Sequence, residues 1–270
     1  MPSDTTAASS SAANASTTSG FTRMGVVGTG VMGKGIAQIA AQAGLEVLLF
    51  DARPQAAQDA VTDLGRTLDR LAEKGKLSPE ALAKAKGKLK AVDAVEGLAA
   101  CDLVVEAIAE SLDAKSQLFT QLEGLLSDQA VLATNTSSLS VTSIAAGLRL
   151  PQRVAGFHFF NPVPLMKIVE VIDGLLTDRG VSERLLALGR EMGHTAVRAQ
   201  DTPGFIVNHA GRGYGTESLR LLAEGVGSIE DIDRVLRDTA GFRLGPFELM
   251  DLTGLDVSHP GMESIYHQYY

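Results

Sequence analysis

The chain has 270 residues, 45% of them apolar, a formal net charge of −8 at pH 7 and one cysteine, Cys101. That length can hold one large domain or two smaller ones around a sizeable core. The acidic balance argues against nucleic acid or an anionic membrane as a partner. A single cysteine rules out a disulfide framework and points to a reducing, cytoplasmic setting, and no apolar run reaches the ~20 residues of a membrane span.

In chain order, the first stretch is almost all Ser, Thr, Ala, Asn and Gly. It lacks an apolar core, carries Asp4 and has no Arg before Arg23, so it matches neither a secretory nor a mitochondrial signal. Residues 1–21 are expected to be a disordered tail. From Arg23, RMGVVG reads as a buried strand, GVMGKGIAQIAAQAG as a helix rich in small residues and EVLLFD (46–51) as a second strand. A long amphipathic helix is expected over roughly 54–74. A further helix is expected at Ser78-Pro79-Glu80, an N-cap followed by Pro at the first helical position. A short strand near KAVDA precedes three apolar strands, DLVVEAI (102–108), QAVLATN (129–135) and RVAGFHFF (153–160), with helices starting near Ser111 and Ser140.

This alternation predicts an α/β fold, a doubly wound and mostly parallel sheet covered by helices on both faces. After about Ala199 the β-branched runs stop, and TPGFIVN, SIEDIDRVL (228–236), GPFELMDL (245–252) and SHPGMESIYHQYY (258–270) read as helical. The expected division is a dinucleotide-binding domain over 22–200 and a smaller all-α domain over 201–270. The last helix has no stop signal, and the incompleteness expected of the second domain is what the family resemblance described below implies.

Residues Gly28, Gly30 and Gly33 form G-x-G-x-x-G between the first strand and the helix that opens at Val31 and Met32. Gly28 suits the tight turn, Gly30 lets the backbone approach a pyrophosphate and Gly33 lets the helix pack on the strand, with free N–H groups facing the phosphates. Asp51 closes the next strand at the spacing expected for a carboxylate that accepts both ribose hydroxyls, which favours NAD over NADP.

In GFHFFNPVPLMKIVEVI (156–172), one His and one Glu interrupt an apolar stretch, and the Pro-rich centre cannot continue a ladder. If the flanking runs fold back antiparallel about residue 164, His158 and Glu170 are direct cross-strand partners on one face. A carboxylate facing an imidazole fixes its tautomer and strengthens it as a base. A base beside a hydride acceptor is what alcohol oxidation requires. A packed His–Glu pair with no catalytic role is the competing reading.

Other candidates follow strand ends, where doubly wound sheets place ligand groups. They are Asn135 and Ser137 in the polar run TNTSS, Glu110 and Lys115 after DLVVEAI, and Asn208 early in the first helix past the boundary. Ordinary caps and solvated helix starts use the same residue types. No Cys/His cluster suggests a metal, and His194, His209, His259 and His267 read as surface or packing residues.

The segments VGTGVMGKGIA, VVEAIAE, TNTSSLSVTSIA, GFHFFNPVPLMKIVEVI, DTPGFIVN and GPFELMDLTGLD together resemble the L-3-hydroxyacyl-CoA dehydrogenase family, from about Arg23 to Tyr270. The resemblance implies NAD as cofactor and a 3-hydroxyacyl-CoA as substrate, with His158 as catalytic base and Glu170 as its partner. It implies Ser137 and Asn208 at the substrate, Glu110, Lys115 and Asn135 at the nicotinamide end, and Arg70, Lys74 and Lys76 at the phosphates of CoA. It also implies a homodimer through the helical domain. The polar segment HAGRGYGTES after Asn208 is closer to the longer, duplicated relatives, and Arg212 there would suit a polar acyl end. Two other readings share these residues, a dehydrogenase of a free hydroxy acid and an NAD-binding module without turnover.

Overall fold

The computed structural model describes residues 18–269. Strand β1 (Arg23–Val27) leads through a glycine turn into helix α1 (Val31–Ala43), and β2 (Glu46–Phe50) follows. The amphipathic stretch forms α2 (Ala56–Glu73). Next comes α3 (Pro79–Gly87), where the Ser78 side chain accepts from the Ala81 N–H as the Ser-Pro-Glu signature requires. Then come β3 (Leu89–Ala91), β4 (Leu103–Glu106), α4 (Leu112–Leu125), β5 (Val131–Thr134) and α5 (Val141–Ala145). Ser111 and Ser140 cap α4 and α5. The sheet is completed by β6 (Val154–Phe159), β7 (Ile168–Asp173), α6 (Arg179–Glu191) and β8 (Thr195–Gln200).

The eight strands lie in the order β3-β2-β1-β4-β5-β6-β7-β8. All neighbours are parallel except β6 and β7, which run antiparallel with His158 directly opposite Glu170. That is the register required by a reversal centred on residue 164. Helix α6 and strand β8 lie outside the expected elements. Only β7 pairs with β8, whose residues Thr195, Arg198 and Gln200 break the apolar run that marks the central strands.

The central strands are apolar on both sides because both faces of the sheet are covered. One cluster, including Met24, Val26, Ile36, Leu49, Leu68 and Phe157, packs α1, α2 and α6 on one face. Another, including Val104, Phe119, Leu122, Leu132 and Ile144, packs α4 and α5 on the other. Cys101 is one of these small buried side chains, and burial pushes its thiol up to about 12. Residues 1–17 of the expected tail lie outside the described residues. Its end is corrected, because Ser19 and Phe21 are packed. The Ser19 hydroxyl and N–H donate to Glu191, and the buried Phe21 ring lies 3.9 Å from the Arg184 guanidinium carbon.

Past Gln200 come α7 (Val207–Ala223), α8 (Ile229–Asp238), α9 (Pro246–Thr253) and α10 (Leu255–Tyr269). Asp233, buried on α8, accepts from the Phe247 and Glu248 N–H groups and so closes the N-terminus of α9. No helix among the described residues is long and apolar enough to cross a membrane.

Candidate active site

The glycine turn is shaped by close approaches. Gly28 has φ +93°, and a Cβ there would lie 2.5 Å from the Ala107 carbonyl oxygen. A Cβ on Gly33 would lie 1.8 Å from the Gly28 oxygen. Neither position accepts a side chain, so β1, α1 and the end of β4 come together only with glycine there. In front of α1 the space is open, since a Cβ on Gly30 would meet nothing within 4 Å. A helix start with free N–H groups facing open space fits a dinucleotide pyrophosphate. Asp51, just after β2, turns one carboxylate oxygen to the Thr29 N–H and hydroxyl, each at 2.8 Å. Hydrogen bonds from Arg53 hold this carboxyl well below the usual carboxylate range, against its own burial. The carboxylate is therefore ionised, and the Arg53 side chain that pairs with it is exposed.

A cavity of about 640 Å³ opens between the carboxyl ends of the strands and the helices α7, α9 and α10. Its lining brings together Val31, Met32, Glu110, Lys115, Asn135, Ser137, His158 and Asn208. The parallel strands point their carboxyl ends to one edge, and the loops that follow β4, β5 and β6 deliver these residues there. His158 is 3% exposed and Glu170 is wholly buried. The His158 Nδ1 lies 2.7 Å from one Glu170 oxygen. The other oxygen of Glu170 accepts from the Ile206 and Val207 N–H groups, both at 2.9 Å, where α7 begins. One carboxylate thus orients the imidazole and holds the start of the helical region. With Nδ1–H donated to Glu170, Nε2 is the nitrogen left for a ligand in the cavity.

Glu110 organises the polar run after β5. Its Oε1 accepts from the Thr136 hydroxyl at 2.5 Å and from the Ser137 and Ser138 N–H groups at 3.1 and 3.2 Å. Burial alone would raise its pKa, but the Lys115 charge and the bonds from Thr136 and Ser137 bring it below the ordinary value. Lys115 is not the solvated lysine of a helix start, being 1% exposed, with Nζ 2.5 Å from Glu106 and 3.3 Å from Glu110. Asn135 accepts from the Phe159 N–H at 2.8 Å, which ties the ends of β5 and β6. The Asn208 amide donates to the Ser137 carbonyl at 3.4 Å, and Gln268 of α10 donates to the Ser138 carbonyl at 2.8 Å. The polar run is therefore gripped from both sides.

Arg70, Lys74 and Lys76 are exposed at the C-terminal end of α2, and none of them lines the cavity. Two supporting carboxylates escape a reading of the sequence. Glu106, wholly buried, accepts from Lys115, from the Thr134 hydroxyl and from the Ile108 N–H. Asp201 accepts from the Ser140 hydroxyl and the Val141 and Thr142 N–H groups, fastening the segment before α7 to α5. A lone acidic residue in the apolar run VVEAI carries the same signal that singles out Glu170 in KIVEVI. Asp201 has no such mark. His194 is a packing residue as expected, buried with Nε2 3.0 Å from the Val163 carbonyl. Among the described residues no group of His, Cys, Asp and Glu is arranged to hold a metal ion.

Fold and cavity together are those of a dinucleotide-binding domain joined to a helical domain across a shared cleft. Residues 23–202 match the family model of the 3-hydroxyacyl-CoA dehydrogenase NAD binding domain, and residues 204–270 match that of the C-terminal domain. The chain belongs to the 3-hydroxyacyl-CoA dehydrogenase family. It is 44% identical over 235 residues to the 3-hydroxyadipyl-CoA dehydrogenase of Escherichia coli, covering 87% of this chain and 50% of that protein. To a probable 3-hydroxybutyryl-CoA dehydrogenase of Bacillus subtilis it is 41% identical over 231 residues, covering 86% of this chain and 80% of the relative. The crystal structure of 3-hydroxybutyryl-CoA dehydrogenase from Escherichia coli superposes with a TM-score of 0.90 at 44% identity, over 92% of this chain and 53% of that one. That of (S)-3-hydroxybutyryl-CoA dehydrogenase from Ralstonia eutropha superposes with a TM-score of 0.89 at 36% identity, over 92% and 88%. The chain thus spans about half the length of the Escherichia coli relatives and most of the length of the others.

Proposed function

We propose that this chain catalyses the NAD-dependent oxidation of (S)-3-hydroxyacyl-CoA to 3-ketoacyl-CoA, and the reverse. The observation that carries the reading is the buried His158–Glu170 pair opening into the cavity that also receives the N-terminus of α1. His158 Nε2 takes the proton of the C3 hydroxyl, and the Glu170 carboxylate stabilises the imidazolium that forms. In reverse, the imidazolium returns the proton to the oxygen at C3. Bound NAD supplies the hydride acceptor. Gly28, Gly30, Gly33, Val31 and Met32 hold its pyrophosphate, Asp51 its adenosine ribose, and Glu110, Lys115 and Asn135 its nicotinamide end. Ser137 and Asn208 orient the substrate hydroxyl and thioester across the cleft, and the helical domain excludes water.

Arg70, Lys74 and Lys76 are exposed and form no ion pair among the described residues, which suits them to the phosphates of CoA. The helical domain serves as the interface of a homodimer. Exposed Leu252, Val226 and Leu255 support that reading, and a cytoplasmic setting accords with the buried, unreactive Cys101.

The test is NADH oxidation with acetoacetyl-CoA, run on the parent and on His158→Ala, with NAD affinity measured on both. Turnover should fall by roughly 10²–10⁴-fold in the variant while NAD still binds. Acetoacetate without CoA should not replace the thioester. A parent that binds NAD and never turns over, or equal use of the free acid, would sink the reading.

A further inference from the structure

The carboxylate of Asp51, just past β2, is fully engaged. Its Oδ2 accepts from the Thr29 N–H and hydroxyl, each at 2.8 Å, and from Arg53 Nη2 at 3.1 Å. Its Oδ1 accepts from the Arg53 backbone N–H and from Arg53 Nε, each at 3.0 Å. Those five donors exceed the roughly four lone-pair sites of a carboxylate. Two of them belong to one guanidinium, which grips one oxygen with each arm. A ribose diol also donates two hydrogen bonds. It reaches Asp51 only by taking the places of Nε and Nη2.

The donors differ in how firmly they are held. Thr29 is buried in the glycine turn, and the Arg53 N–H is part of the backbone. The Arg53 side chain is 71% exposed and has no other hydrogen bond or ion pair among the described residues. An exposed pair of this kind contributes little, so a ligand can displace it. Three donors then still hold the carboxylate. The backbone N–H keeps Arg53 beside Asp51, so its charge stays within a side-chain length. Ala56, the first residue of α2, closes the same corner, its carbonyl 3.3 Å from the Thr29 hydroxyl. The positive end of that helix is therefore there too.

We infer that Arg53 sets the dinucleotide specificity: its guanidinium covers the acceptor positions on Asp51 that the ribose hydroxyls of NAD take, and once displaced it pairs with the 2′-phosphate of NADP, so that the site binds both dinucleotides. The inference rests on the proposed reading in which Asp51 holds the adenosine ribose. In NADP one hydroxyl of that diol carries a phosphate, with about two negative charges at neutral pH. Asp51 alone would repel it. A planar guanidinium meets a phosphate with two parallel N–H groups, and Asp51 and Arg53 together carry no net charge. NAD keeps the advantage, because only its intact diol gives Asp51 two donors.

The experiment is calorimetric titration of the whole chain with NAD and with NADP, in the absence of acyl substrate. The parent should bind NAD tighter, with NADP weaker by only about tenfold. Arg53→Met, which keeps the length and removes the charge, should widen that ratio to about a hundredfold or more while NAD binds at least as tightly. Arg53→Lys should give a ratio between the two. Asp51→Asn removes both the partner of Arg53 and the repulsion. It should weaken NAD by about tenfold and make NADP the tighter ligand, and adding Arg53→Met should abolish that reversal. A parent without measurable NADP binding, or a ratio that Arg53→Met leaves unmoved, overturns the inference alone. An NAD affinity indifferent to Asp51→Asn overturns the ribose assignment, and the inference with it.

Discussion

In the sheet domain, Val26, Leu49, Leu103, Val105 and Leu132 have no accessible surface, and apolar clusters fill both faces. In the helical domain, Val226, Val235, Leu252 and Leu255 are 66%, 55%, 73% and 59% exposed, and only a few side chains such as Ile232, Phe247 and Ile265 are buried. The sheet completes its own core. The helices hold together at a smaller core and at polar capping contacts such as Asp233 with α9. Polar capping also fastens them to the sheet, through Glu170, Asp201 and Gln268. A domain stabilised by burial and a domain placed by hydrogen bonds should respond differently to substitution.

The largest effect should come from the charged group buried in the sheet domain. Lys115→Met leaves Glu106 buried without its cation and should cost about 3–5 kcal/mol in urea unfolding. A cost near zero would mean that Glu106 is not an ionised partner. Next comes a matched pair of truncations. Leu132→Ala, in the sheet core, should cost about 3 kcal/mol through its cavity. Leu252→Ser, on the helical surface, should change monomer stability by roughly 0.5 kcal/mol or less and, under the proposed homodimer, lower self-association in sedimentation. Comparable losses of stability for both would erase the contrast between the domains.

The smallest effect is in acid. Hydrogen bonds from Lys90 and Arg23 draw Glu46 from its ordinary value down to about 2. Its folded value is depressed, so its contribution is present above pH ~4.5 and lost as pH falls towards about 2. Glu46→Gln should flatten the acid limb of the unfolding midpoint over that window and leave the neutral region nearly unchanged. An unaltered limb would assign the acid sensitivity to other carboxylates. Glu248 on α9 is also depressed, by the Gly245 N–H and then by Arg237, and it offers the same test in the helical domain.

Much of the fold was legible because it obeys local rules. Ser78 with Pro79, Ser111 and Ser140 announced their helices, and apolar runs announced β1, β2 and β4 to β7. Strand β8 was not legible, since an edge strand needs burial on fewer sides and tolerates Thr195, Arg198 and Gln200. The packed Ser19 and Phe21 were hidden for a related reason, because their partners, Glu191 and Arg184, are more than 160 residues away in the chain.

By itself the sequence determined the glycine turn, the alternation of strands and helices, and the cross-strand partnership of His158 and Glu170. Each depends on residues close in the chain or on the period-2 geometry of a hairpin. Only the tertiary structure decided that Lys115 is buried against Glu106, that Glu170 also holds the first amides of α7, and that Asn208 of α7 meets the Ser137 carbonyl. Those facts depend on what the packed elements bring to the carboxyl edge of the sheet. Burial and pairing there are properties of the assembled neighbours rather than of any one segment.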